Sequence, residues 1–72
     1  MNPANGKVSA NSKVVVITEF GRYLVGIGQD ATRADVLRES RTNGTWGIRE
    51  DALNYRLTYI HGDAILGVEF PE

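Results

Sequence analysis

Short runs of β-branched and apolar residues predict strands in the first half of the chain. The run from Val14 to Ile17 is too short to stand alone as a helix, and it is typical of a strand buried on both faces. The segment from Glu19 to Arg22 supplies a turn in which Gly21 can adopt a positive φ, and apolar residues resume at Tyr23. These segments predict a hairpin of two strands, with Gly26 as a bending point.

Two further strands are predicted near the carboxyl end. The segment from Tyr55 to Tyr59 alternates between apolar and polar residues, which is the pattern of a strand with one buried face. The tripeptide His61-Gly62-Asp63 then predicts a tight turn. The segment from Ala64 to Phe70 predicts the last strand, which ends before a proline.

Two predictions compete in the middle of the chain. Thr32 or the nearby Asp30 could cap a helix, because several good helix formers follow them. Against the helix, Asn43-Gly44 is a strong signal for a type I′ hairpin turn. We favour a strand from about Asp35 to Thr42, which brings the total to about five short strands, and the helix stays as its rival.

Composition changes this picture in two ways. A chain of 72 residues without cysteine buries a small core and lacks disulfides, so association between subunits is the remaining means of stabilising it. The formal net charge of −1 argues against a broad electrostatic surface for duplex DNA or an anionic membrane. Because no apolar stretch is long enough to span a bilayer, we expect a soluble, cytoplasmic protein.

The first twelve residues differ from the rest in composition. Met1 to Ser12 holds turn formers and little to bury, which predicts a flexible tail followed by one domain over residues 13–72. This segment also lacks the apolar periodicity of an amphipathic helix.

The segments with strand patterns carry a family resemblance. Ile60 to Val68 resembles the second Sm motif, in which an apolar residue, a basic residue and glycine precede regularly spaced apolar positions, with histidine here as the basic residue. Upstream positions resemble the first Sm motif, in the order Val14 to Thr18, Gly21-Arg22, Gly26, Asp30, Asp35 and Leu37 to Glu39. On these residues the chain is similar to the Sm-like (LSm) family.

The resemblance implies a fold and an assembly. The fold is all-β: a small five-stranded, strongly bent open barrel of the SH3-like kind, here without a well-formed N-terminal helix. Asn43 to Asn54 would be a long connection between its third and fourth strands. The fourth and fifth strands would lie at free edges and pair head to tail between subunits, closing a homo-oligomeric ring of roughly five to seven copies.

The same resemblance implies an RNA-binding function. In the family, the loop before the third strand and the turn before the fifth converge near the pore and hold single-stranded RNA, which suits U-rich or A/U-rich sequences and an RNA chaperone or processing scaffold. The residues at the corresponding positions of this chain are Arg33, Asp35, His61, Gly62 and Asp63. His61 would stack on a base or donate a hydrogen bond to a phosphate. Gly62 would allow close approach of the backbone, and Asp35 would accept a hydrogen bond from uracil N3–H.

Each of these residues also has a plainer interpretation. His61 is equally well explained as a turn residue, Asp35 as the opening of a strand, and Arg33 as a solvated charge. A single histidine without cysteine offers neither a metal site nor a catalytic triad, so we predict no enzyme, no cofactor and no small-molecule substrate. The alternative function is a structural or protein-interaction oligomer that has lost RNA binding.

Overall fold

The architecture is mostly β, with one helix. The computed structural model describes residues 6–10 and 12–70, which form seven strands in two antiparallel sheets. In chain order the elements are β1 (Lys7–Val8), β2 (Val14–Thr18), β3 (Gly21–Val25), β4 (Ala31–Thr32), α1 (Arg33–Asn43), β5 (Thr45–Arg49), β6 (Leu57–Ile60) and β7 (Ile65–Glu69). A 3-10 turn, Gly62–Ala64, connects β6 to β7.

The larger sheet contains five strands, as the hydrophobic pattern predicts. Its order is β6-β5-β3-β2-β7, so β3 is the central strand and β6 and β7 form the two edges. The predicted hairpin is confirmed: β2 and β3 pair with Val16 opposite Tyr23, and Gly21 opens β3 with a φ of 141°. Because β3 ends at Val25, Gly26 lies just outside the strand.

The core lies between one face of this sheet and the helix. Val14 and Val16 of β2 are fully buried, and they pack with the helical residue Val36. The remaining buried members of the cluster are Val8, Val25, Ile60 and Ile65. Small β-branched side chains dominate this core because β2 is covered on both faces, where branched residues fit the pleated surface.

The strand predicted from about Asp35 to Thr42 is wrong, because these residues lie in α1. Thr32 is the helix N-cap: its side-chain oxygen accepts a hydrogen bond from the Asp35 backbone N–H at 3.1 Å. Gly44 follows the last turn with a φ of 75°, and its N–H donates to the Ser40 carbonyl. The Asn43-Gly44 pair therefore ends a helix instead of forming a hairpin turn, and the all-β description becomes mostly β.

This correction moves the third strand of the larger sheet. The strand is β5, which pairs with β3 through Leu24 opposite Ile48 and with β6 through Trp46 opposite Tyr59. β5 lies within Asn43 to Asn54, the segment for which the sequence predicts a long connection between strands. The part of the first Sm motif placed on Asp35 and the three residues Leu37 to Glu39 is helical and does not open a strand.

Part of the predicted tail packs onto the domain. Val8 of β1 is buried in the core, and β1 pairs with β4 to form the smaller sheet. The Arg33 N–H also donates to the Gly6 carbonyl at 2.9 Å, and the Ala10 N–H donates to the Asp30 carboxylate at 2.8 Å. The predicted flexible tail over residues 1–12 otherwise falls on residues 1–5 and 11, which lie outside the described residues.

No helix within residues 6–10 and 12–70 has the length and apolar character needed to cross a bilayer.

Candidate functional site

Two of the predicted RNA-binding residues lie in the first turn of α1. Arg33 is the first helical residue, and its guanidinium carbon lies 5.6 Å from the centre of the Phe70 ring. Asp35 forms an ion pair with Arg38 one turn further along the helix, so its carboxylate already has a cationic partner. Both side chains have structural roles at the start of the helix.

The other three predicted residues surround the 3-10 turn between β6 and β7. His61 precedes this turn, is exposed, and meets the Tyr59 ring edge-on with 5.1 Å between ring centres. Gly62 lies directly against the backbone of Arg41, in the last turn of α1. Asp63 is exposed. Gly62 is thus a close-approach glycine that lets the turn pack on the helix.

The structure separates the five residues into two groups. Arg33 lies at the start of α1, whereas Gly62 contacts Arg41, eight residues further along the same helix. At the rise of an α-helix this spacing corresponds to about 12 Å. Within one copy, Arg33 and Asp35 therefore do not share a pocket with His61, Gly62 and Asp63.

A larger feature is the face of the five-stranded sheet that points away from the core. The strand registers place Leu24, Ile48 and Leu57 side by side across β3, β5 and β6. Trp46 and Tyr59 form the next row on the same face, since side chains two residues apart in a strand share a face. We call these five residues the outer face. Trp46 is 56% exposed and Leu57 is 59% exposed, so apolar side chains of the outer face are open to solvent.

Three aromatic rings continue from this face toward the 3-10 turn. The Trp46 and Tyr59 rings have centres 5.2 Å apart and planes tilted by 58°, and His61 follows on the other side of Tyr59. The Tyr59 hydroxyl donates to the Asn43 carbonyl at the end of α1, which anchors the central ring of the three. We call Trp46, Tyr59 and His61 the aromatic row. Such rings can stack on nucleobases or pack against another protein.

A charged group borders the outer face on the side away from the aromatic row. Arg22 of β3 forms ion pairs with Glu50 and Glu69, which follow β5 and end β7. The hydrogen bonds to these carboxylates raise the pKa of Arg22 above its usual range, and the hydrogen bond to Glu69 has the largest effect. The hydrogen bond from Arg22 in turn lowers the pKa of Glu69. Arg22 is therefore already engaged by two carboxylates.

A polar cleft of about 370 Å³ lies between α1 and the loop that follows β3. Asp30, Asp35, Arg38 and Glu39 contribute side chains of both charges to it. Within the described residues, no three histidine, cysteine or acidic side chains come together as metal ligands. The cleft is thus a mixed-charge surface depression, in which the Asp35–Arg38 ion pair already satisfies two of the charges.

Sequence reasoning missed the outer face. Trp46 lies within Asn43 to Asn54, where the sequence predicts a long connection, and filling the core is the more frequent use of a tryptophan. The alternation from Tyr55 to Tyr59 did contain a usable signal, because its apolar positions Leu57 and Tyr59 define one face of β6. The alternation does not indicate whether this apolar face of β6 lies against the core or points to solvent.

Comparison of the chain with protein-family models, with curated proteins and with solved structures finds no match in any of the three.

Proposed function

We propose that this chain is an Sm-like, strongly bent open barrel that assembles into a ring and binds single-stranded RNA. The order of the larger sheet is the observation that carries the assembly. The fourth and fifth strands of this sheet, β6 and β7, lie at its opposite edges. Unpaired backbone groups at an edge invite pairing with another chain, and pairing between two different edges is heterologous, so it closes into a ring when the rotation allows.

Exposed apolar side chains on the two edge strands favour the same assembly. Leu57 on β6 is 59% exposed and Leu66 on β7 is 64% exposed, so both edges present leucine to solvent in one copy. Head-to-tail pairing of β6 with β7 of the next copy would cover parts of both. We propose five to seven copies, since the angle between neighbours sets the number.

RNA binding in this proposal rests on the aromatic row. His61 and Trp46 are exposed, and rings spaced by about 5 Å offer edges and faces on which unstacked bases pack. With a net charge of −1 the attraction to phosphate is local, so repetition of the site around a ring would supply much of the avidity. Arg33 and Asp35 could join His61 only if a neighbouring copy brought them close.

A second candidate is a structural oligomer that does not bind RNA. The apolar character of the outer face favours it, because leucines beside an aromatic pair suit a protein contact better than a phosphate backbone. At the border of the outer face, the guanidinium of Arg22 is already paired with Glu50 and Glu69 and is therefore not free to bind a phosphate.

The first experiment measures assembly by light scattering. A ring predicts a mass of five to seven subunits, and Leu66→Lys on the β7 edge should reduce it because a charge blocks edge pairing. Leu53→Lys is the matched control, since Leu53 is 98% exposed in the loop after β5. A folded monomer for the unmodified chain would contradict the ring.

The second experiment measures RNA binding by fluorescence anisotropy of labelled oligo-uridine at low and physiological salt. His61→Ala should weaken binding about tenfold, the effect of losing one stacking contact. Lys13→Ala is the control, because Lys13 is an exposed cation before β2, on another element. A ring without saturable binding would favour the second candidate, and an equal loss in both variants would indicate non-specific charge attraction.

A further inference from the structure

The distribution of large apolar side chains in this chain is unusual for a folded monomer. Within residues 6–10 and 12–70, the two fully buried large side chains are valines, and the other buried hydrophobic residues are valines or isoleucines. Several leucine and aromatic side chains are exposed instead, and six of them are at least 56% exposed. Isolated exposed apolar residues are ordinary, but a contiguous patch marks a contact surface.

The outer face is such a contiguous patch. Leu24, Ile48 and Leu57 are neighbours across three hydrogen-bonded strands, and the Trp46–Tyr59 pair lies alongside them with 5.2 Å between ring centres. Its border is polar, because Arg22 and its two glutamates close one side. An apolar centre with a polar border is the arrangement found in protein interfaces.

The size of the patch identifies a second copy of this chain as its occupant. From the exposed fraction of Trp46, this side chain alone leaves on the order of 100 Å² uncovered, and the five residues together leave about 400 Å². Two copies placed face to face would cover about 800 Å² of apolar surface. Because homodimer interfaces are about 65% apolar, the total is about 1,200 Å², which meets the lower limit of a stable interface.

We propose that two copies dock through their outer faces about a two-fold axis, with Trp46 and Leu57 buried at the contact. This contact goes beyond the edge pairing proposed above and is independent of it. It competes with RNA for Trp46 of the aromatic row, because a docked copy covers that ring. Edge pairing uses backbone groups in the plane of the sheet, whereas face docking uses side chains perpendicular to that plane. If both occur, the two-fold contact joins chains of two rings and gives dihedral symmetry.

Trp46 reports directly on this contact because it is the one tryptophan of the chain. The experiment records tryptophan emission, acrylamide quenching and light-scattering mass over a dilution series of the full chain. Docking predicts a blue-shifted emission and at least twofold weaker quenching at high concentration, with the mass halving on dilution as the emission shifts red. Emission typical of an exposed indole at every concentration would overturn the proposal.

Two lysine variants separate face docking from edge pairing. Leu24→Lys, on the outer face and on the interior strand β3, should halve the mass and expose Trp46 at concentrations where the unmodified chain is docked. Leu66→Lys on the β7 edge should leave Trp46 buried, and the control Leu53→Lys should change neither the mass nor the emission. Far-ultraviolet circular dichroism shows whether each variant stays folded, and Trp46→Phe, which keeps an aromatic side chain, should retain the docked mass. A ring mass with an exposed Trp46 would overturn face docking alone, whereas a dimer with a buried Trp46 would support it and contradict the ring.

Discussion

Gly62 lies against the carbonyl group of Arg41, close enough that a side chain at position 62 would overlap the backbone of α1. This contact joins the 3-10 turn before β7 to the last turn of the helix. We expect Gly62→Ala to lower the free energy of unfolding by about 2 kcal/mol, because a rigid backbone must move to admit one methyl group. Urea denaturation followed by circular dichroism measures this loss.

Gly67→Ala is the control for that measurement. Gly67 lies in β7, and a Cβ added there meets open space. Its substitution should leave stability within about 1 kcal/mol of the unmodified chain. Equal effects of the two alanines would contradict the close contact at Gly62. In that case, a loss of RNA binding in Gly62→Ala could not be attributed to a destabilised fold.

The N-cap of α1 offers a second test of the fold. The Thr32 hydroxyl accepts the Asp35 N–H at 3.1 Å, so Thr32→Ala should cost about 1 kcal/mol of stability. Thr32→Ser keeps the accepting oxygen and should recover most of the loss. If the two variants unfold at the same urea concentration, the cap contributes nothing and the helix is held by packing alone.

The turn between β2 and β3 depends on a buried hydroxyl. Thr18 is 7% exposed; its hydroxyl O–H donates to the Gly21 carbonyl at 3.0 Å, and its hydroxyl oxygen accepts from the Phe20 N–H at 3.1 Å. Thr18→Val keeps the shape but leaves both backbone groups without this partner, which should cost about 1–3 kcal/mol. Thr18→Ser preserves the hydroxyl, so the Phe20 amide should exchange with solvent faster in the valine variant than in the serine variant.

The ion pair between Arg22 and Glu69 predicts a pH dependence. Because the hydrogen bond from Arg22 lowers the pKa of Glu69 in the folded chain, the pair stabilises the fold above the unfolded-state pKa of this carboxyl group. That contribution is lost as the pH falls through the folded-state value. In an NMR titration, Arg22→Gln should raise the pKa of Glu69, and Glu69→Gln should flatten the dependence of stability on acidic pH.

A titration in which Glu69 keeps the same pKa after Arg22→Gln would contradict this cause. The stabilising effect is expected to be small, because both side chains are about half exposed to solvent.

Local pattern was sufficient for four of the five strands in the larger sheet. The β-branched run at Val14 is typical of a strand buried on both faces. The alternation ending at Tyr59 has a period of two, which places its apolar side chains on one face of a strand. The positive φ of Gly21 is also predictable, because its position between two strand-forming segments requires a turn. These features depend on neighbours in sequence, so the sequence alone was enough to predict them.

The middle of the chain was not decided by local pattern. Gly44 has a positive φ in the structure, but the same freedom serves a hairpin turn or the end of a helix. The helix outcome depends on contacts distant in sequence: Val36 packs in the core, and Arg41 meets Gly62. Because the candidate site residues Arg33 and Asp35 lie on this helix, their separation from His61 was equally beyond local reasoning.

By itself, the sequence determined a small, β-rich chain with a buried valine strand, a hairpin that joins this strand to the next, and no disulfides. Only the tertiary structure decided that Arg33–Asn43 is a helix, that β1 adds Val8 to the core, and that Trp46 and Leu57 point to solvent. The physical reason is the range of the interactions. The periodicity of a strand depends on neighbouring residues, whereas which face of the sheet is covered depends on where the tertiary fold places α1.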